Sequence, residues 1–217
     1  MQIKIDMKIL IFALIFYLTG QLNIYILLMI FACLHELGHL ILGRFLGFKT
    51  YLLEIKPIGF SVSFNNPVDD YNKKIKKANL LELKKIFIYL AGPIVNVLLA
   101  IIIYFLNMDT VLKLECVYIN IILILVNFFP IYPLDGGRIL KSILCIFCGL
   151  KKSYMITEKI SLIMTILILF ASSILVLKIH NIGFVIMVLY LVYVKIKETR
   201  IIEKKLEVYK LLEDKNL

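Results

Sequence analysis

The sequence predicts an all-α polytopic membrane protein of about six transmembrane helices, with a small membrane-associated β-hairpin after helix two and a broken segment at the inner end of helix four. Three observations carry this. Of 217 residues 61% are hydrophobic, and the mean hydropathy is +0.93, whereas soluble domains hold about 45–50% apolar residues. The apolar residues fall into successive runs, several of about 20 residues, the length a bilayer-spanning helix needs. One run ends in "NFFPIYPLDGG", residues 127–137, where two prolines and two glycines forbid a regular helix.

Taken in order, residues 7–19 form a first apolar helix behind a basic start. No A-x-A-like cleavage site follows, so the segment reads as uncleaved. The second helix covers about 24–45. After it, "TYLLEIKPIGFSVSFN" is rich in β-branched and aromatic residues around Pro57 and Gly59, which predicts the hairpin. The basic stretch "NKKIKKANLLELKK" reads as an interfacial segment leading into helix three, about 86–106. Helix four starts near Cys116 and runs into the broken segment. Chain broken at membrane depth must be buried in protein or face a watery cavity, because lipid cannot satisfy its backbone groups. A helical piece resumes over about 137–150, and two further spans follow at about 154–177 and 182–194. Residues 1–197 thus make one membrane domain, and 198–217 a short amphipathic tail.

The formal net charge is +10. The basic residues lie between apolar runs, so the positive-inside rule accounts for them and nucleic acid is not expected as a partner. With six spans and cytoplasmic termini, the outward segments 20–23, 107–113 and 178–181 contain only Lys113 and Lys178 of all 25 Lys and Arg. That asymmetry predicts a multi-pass protein with both termini in the cytoplasm. Three of the four cysteines lie within or beside apolar runs, and Cys145 and Cys148 form a lone C-x-x-C with no second pair. They read as small core residues rather than a disulfide or metal framework.

Within helix two, "HELGH" occupies residues 35–39. His35 and His39, four apart, project from one helix face one turn apart, the spacing two imidazoles need to bind one zinc ion. Glu36 can reach a zinc-bound water as general base. Three ionisable groups in five residues at membrane depth together cost several kcal/mol, of order 2.5–3.5 for an acidic residue alone, and a shared divalent cation makes that tolerable. A catalytic zinc site usually has three protein ligands and an open position. With no second histidine pair and His180 at the expected outer surface, the third ligand should be a carboxylate. Asp135 is the candidate, the other reading being a helix N-cap ahead of Gly136 and Gly137.

These residues resemble the site-2 proteases, intramembrane zinc metalloproteases. HELGH at 35–39, "AGPIVN" at 91–96 and "NFFPIYPLDGG" at 127–137 look like that family's three signature regions in the right order, and the likeness covers about residues 5–197. The resemblance implies one zinc ion held by His35, His39 and Asp135, with Glu36 as catalytic base. It implies that Asn127, with Pro130 beside it, helps hold an extended substrate strand, and that the hairpin around Gly59 offers that strand an edge. Gly92, Asn96 and Gly136 would shape the surroundings. Expected partners are the lipid bilayer, a membrane-associated protein substrate cut near the cytoplasmic face and a membrane-protein inhibitor or regulator. Likeness to the six-span sporulation branch points to a pro-sigma-K-like substrate; an anti-sigma factor or signal-peptide remnant would use the same chemistry. The 20 residues after the last span are too few for the CBS domain common in that branch. A non-catalytic zinc-binding membrane protein is the alternative from another class.

Overall fold

The computed structural model describes residues 2–57, 59–65, 75–179 and 182–214. The chain forms two units, residues 1–128 and 129–217. The first contains β1 (Gln2–Ile5), α1 (Lys8–Leu18), α2 (Leu22–Phe45), β2 (Lys49–Lys56), β3 (Gly59–Asn65), α3 (Ile75–Phe105) and α4 (Thr110–Phe128). The second contains α5 (Asp135–Cys148), α6 (Leu150–Ile179) and α7 (Ile182–Asp214).

In the first unit α2 is the interior element, packing against α1, α3, α4 and both hairpin strands. Half of its apolar window is buried, against 28% for α3 and 22% for α4. Glycines set how closely its neighbours approach. A Cβ on Gly38 would lie 2.8 Å from Val95 Cγ2 and 2.9 Å from the Ala91 carbonyl oxygen, so α2 and α3 meet there almost backbone to backbone. A Cβ on Gly43 would lie 2.4 Å from the Phe64 ring, which lays β3 along the same helix.

The strands form one sheet in the order β1-β2-β3. β2 and β3 are antiparallel, with Lys56 opposite Gly59, and Gly59 takes the positive φ of +104° that closes the turn. The Tyr25 hydroxyl donates to the Pro57 carbonyl at 2.9 Å and ties the turn to α2. β3 then follows the helix in register: Gly59 lies at Ala32 and Phe64 at Gly43, with Val62 at Glu36 between them. Eleven helical residues and five extended ones both advance about 16 Å, so strand and helix keep pace.

In the second unit the broken segment holds together through α6. The Ser161 hydroxyl accepts the Tyr132 N–H at 2.9 Å and donates to the Pro130 carbonyl at 3.3 Å. Gly137 starts α5 hard against that segment, since a Cβ there would lie 2.4 Å from the Ile131 carbonyl carbon and the Tyr132 nitrogen. Between α6 and α7, Lys195 donates to Glu158, and Thr199 donates to the same carboxylate oxygen at 2.7 Å.

Three expectations change. The hairpin is part of a three-stranded sheet, because β1, in what the sequence offers as a basic leader, pairs parallel with β2 from Gln2 opposite Leu52 to Ile5 opposite Ile55. The count of six spans is not confirmed: among the described residues four helices are long and apolar enough to cross a membrane, within α2, α3, α4 and α6. α1 has only 11 residues, about 16 Å at 1.5 Å per residue against a hydrocarbon core of about 30 Å. The expected last span and amphipathic tail are one 33-residue helix, α7, since the charged stretch after Val194 is rich in good helix formers. His180 and the start of the basic stretch, residues 72–74, lie outside the described residues.

Candidate metal centre

α2 carries His35, Glu36 and His39 on its buried side, each under a tenth exposed. The imidazoles stand nearly perpendicular, at 83° with centroids 4.8 Å apart, and their Nε2 atoms face each other at 3.2 Å. Two nitrogens each about 2.0–2.1 Å from one tetrahedral zinc lie about 3.3 Å apart. The helix therefore already holds the pair at the separation that one such ion requires.

α3 supplies what orients these rings. The Ile88 carbonyl oxygen lies 2.6 Å from His39 Nδ1. That oxygen can only accept, so Nδ1 bears the hydrogen and Nε2 presents its lone pair. The longer approach of the Gly92 amide nitrogen to the same Nδ1, 3.3 Å, is secondary, because two donors meet there. Asn96, fully buried, places its side-chain amide 3.1 Å from His35 Nδ1.

Gly92 leaves room at the two ring nitrogens. A Cβ at this position would lie 2.4 Å from His39 Nε2 and 2.5 Å from His35 Nε2. A cradle that a single methyl would fill, bounded by two imidazole nitrogens, fits a zinc-sized cation. The donor chemistry agrees, imidazole nitrogen being a borderline-soft ligand suited to Zn²⁺.

Glu36 faces the hairpin. The Val62 amide of β3 donates to Glu36 Oε1. Cys33, Leu37, Leu40, Leu53, Phe60 and Val62 line a recess with the carboxylate. Among the described residues β3 has a strand neighbour on one side only, and the Val62 N–H goes to Glu36.

The structure thus brings His35, Glu36, His39, Gly92 and Asn96 together. Gly59 sits at the hairpin turn, 3.2 Å from Ala32 Cβ measured from its would-be Cβ. Asn127, near the end of α4, donates Nδ2 to the Leu123 carbonyl of its own helix at 3.0 Å. Asp135, Gly136 and Pro130 belong to the second unit. Asp135 is buried, and it is the first residue of α5 rather than its cap: the N-cap position falls on Leu134, with no capping side-chain bond. Sequence reasoning missed Val62 and Ile88, which act through main-chain atoms and leave no side-chain signature.

An apolar, membrane-length helix that carries two imidazoles at metal-ligand spacing with a carboxylate beside them has a counterpart among known protein families. The chain belongs to peptidase family M50, the site-2 proteases, whose model matches residues 23–117 and 107–172. It is 24% identical over 155 residues to stage IV sporulation protein FB of Bacillus subtilis, covering 70% of this chain and 50% of that one. It is 27% identical over 187 residues to zinc metalloprotease MJ0392 of Methanocaldococcus jannaschii, covering 83% and 50%. The chain spans about half the length of these curated relatives. The site-2 protease structure from Methanocaldococcus jannaschii shares the fold, with a TM-score of 0.66 at 24% identity over 90% of this chain and 89% of that one.

Proposed function

We propose that this chain is a zinc-dependent intramembrane endopeptidase. The observation that carries the reading is the Nε2 pair of His35 and His39, 3.2 Å apart over the cradle left by Gly92, with Glu36 on the same helix. In this reading His35, His39 and Asp135 hold one zinc ion. Asp135 is supported as third ligand by its buried carboxylate, by the failure of the N-cap alternative and by the match to the family motif.

A bound zinc ion would supply Lewis acidity and a water of lowered pKa. Glu36 takes a proton from the attacking water and later delivers it to the departing amine nitrogen. Its Oε1 accepts the Val62 N–H, and the carboxylate has further acceptor sites for the water. β3 lies alongside Glu36, so an extended substrate strand meets the base next to a strand edge, where main-chain pairing is available. Asn127 and Pro130 are proposed to hold the far side of that strand, and Gly59 to shape the hairpin turn.

The substrate in this reading is a membrane-associated protein cut near the cytoplasmic face, with both termini of the enzyme in the cytoplasm. The resemblance to the sporulation branch, and a relative named as a stage IV sporulation protein, favour a pro-sigma-K-like precursor; an anti-sigma factor or a signal-peptide remnant is the alternative. The test is co-expression with candidate substrates, comparing wild type with Glu36→Gln. Loss of the cleaved product with stoichiometric zinc retained supports the peptidase. Continued cleavage by the variant refutes the role given to Glu36, and a zinc-loaded protein that cuts none of the three substrate classes favours a non-catalytic zinc protein.

A further inference from the structure

In the second unit, where α6 begins, two ammonium groups from different helices converge on one ring. Lys141 of α5 places Nζ 4.5 Å from the centroid of the Tyr154 ring, and Lys205 of α7 places its own 5.6 Å from the same centroid. Tyr154 is buried near the start of α6, so its ring is a fixed platform for two flexible side chains. Lys141 is half-buried and Lys205 exposed.

The ring attracts each cation through its quadrupole, by about 0.5–1 kcal/mol at an exposed site, but it carries no net charge. Two like charges at one ring therefore call for an anion. The helices do not supply it at the spacing where side chains meet. On α5 the positions three and four away from Lys141 hold no acid and include a further cation, Arg138, and on α7 the corresponding positions around Lys205 are all uncharged. Glu158, one turn beyond Tyr154, takes Lys195 and Thr199 on its Oε1. Among the described residues neither Lys141 nor Lys205 has a carboxylate within ion-pair reach.

Depth decides which anion the pair meets. Tyr154 lies at the edge of the membrane-length segment Leu150–Ile174, and tyrosine and lysine at such an edge sit at the level of the lipid headgroups. The anion abundant there is phosphate, whose oxygens accept charge-assisted hydrogen bonds from ammonium groups. A headgroup that adds a cation of its own, such as choline, cancels the attraction; one that adds none keeps it.

We infer that Lys141, Lys205 and Tyr154 form a site for the headgroup of an anionic phospholipid, with its phosphate in the field of both ammonium groups beside the ring. The site joins α5, α6 and α7 and is independent of the metal centre.

The experiment titrates the full chain in neutral detergent with phosphatidylglycerol and reads the first bound lipid by native mass spectrometry, with phosphatidylcholine and inorganic phosphate as separate arms. Phosphatidylglycerol is expected to bind about 30-fold more tightly than phosphatidylcholine, about fivefold for each lysine. Lys141→Gln combined with Lys205→Gln is expected to abolish that preference. Lys152→Gln combined with Lys204→Gln removes the same charge from two exposed lysines and is expected to leave the preference in place. Tyr154→Phe keeps the ring and is expected to bind as wild type does. Equal affinity for the two lipids would overturn the inference. So would equal loss in the two double variants, since summed charge rather than a site would then attract the lipid. Inorganic phosphate binding as tightly as phosphatidylglycerol would overturn the lipid as ligand, and a loss in Tyr154→Phe as large as in the Lys141 and Lys205 pair would overturn the part given to the ring face.

Discussion

His35, Glu36 and His39 in the first unit and Glu158, Lys195 and Thr199 in the second are both polar clusters sunk into apolar helices, and they settle their electrostatics differently. In the second, Lys195 donates to Glu158 and to Thr199 at 3.0 Å, so the buried carboxylate has a cation supplied by the chain. The first gathers two imidazoles and a carboxylate, groups that a cation would bind. A buried ion pair that closes on itself is ordinary architecture, whereas two imidazoles at metal-ligand spacing with a carboxylate beside them are the groups that chemistry uses. The difference teaches where to look for chemistry: at the cluster whose imidazoles stand at metal-ligand spacing.

Six substitutions break or sharpen this contrast. The largest effect is expected from His35→Ala or His39→Ala, which leave too few ligands for a structural or catalytic zinc; metal analysis of the purified protein should fall from one zinc to none. Gly92→Ala comes next, because its methyl occupies the space at both ring nitrogens, and zinc should be lost while helix content by circular dichroism is kept. At the other cluster, Lys195→Met strands Glu158 and is expected to destabilise by about 3–5 kcal/mol in a denaturation titration, without altering zinc content. Adding Glu158→Leu should restore most of that loss, and a double variant no better than the single would mean the pair is more than self-neutralising. The smallest effect is expected from Lys56→Gln, which removes the half-exposed Lys56–Glu54 pair at 3.1 Å for under about 1 kcal/mol.

What the sequence reveals of this molecule follows how local its causes are. The extent of α2 and the metal spacing within it depend only on helical periodicity, and 24–45 against Leu22–Phe45 is a close match. The break at Pro130 and Pro133 is equally local, since proline cannot donate the bond a helix needs. β1 escapes such reading: four residues find a partner some fifty positions away, and nothing within the four demands it. The count of six spans is not confirmed, since apolar composition does not reveal that α1 has only 11 residues, and four helices among the described residues are long and apolar enough to cross a membrane. Gly92 offers a partial signal, as a glycine inside a helix costs about 0.5–1 kcal/mol relative to alanine and calls for a reason. The reason itself, a gap opposite two histidines on another helix, is tertiary.

The crossing of α2 and α3 divides labour between two helices. α2 carries the imidazoles, while α3 carries Ile88, Gly92 and Asn96, which aim them and leave them space. Parting the helices by a fraction of an ångström would remove no ligand from α2, yet it would lengthen the bonds that set each ring's orientation. Helix separation in a membrane responds to tilt and to mismatch between protein and bilayer thickness. The aim of the two rings is therefore tied to the bilayer that holds α2 and α3 at this separation.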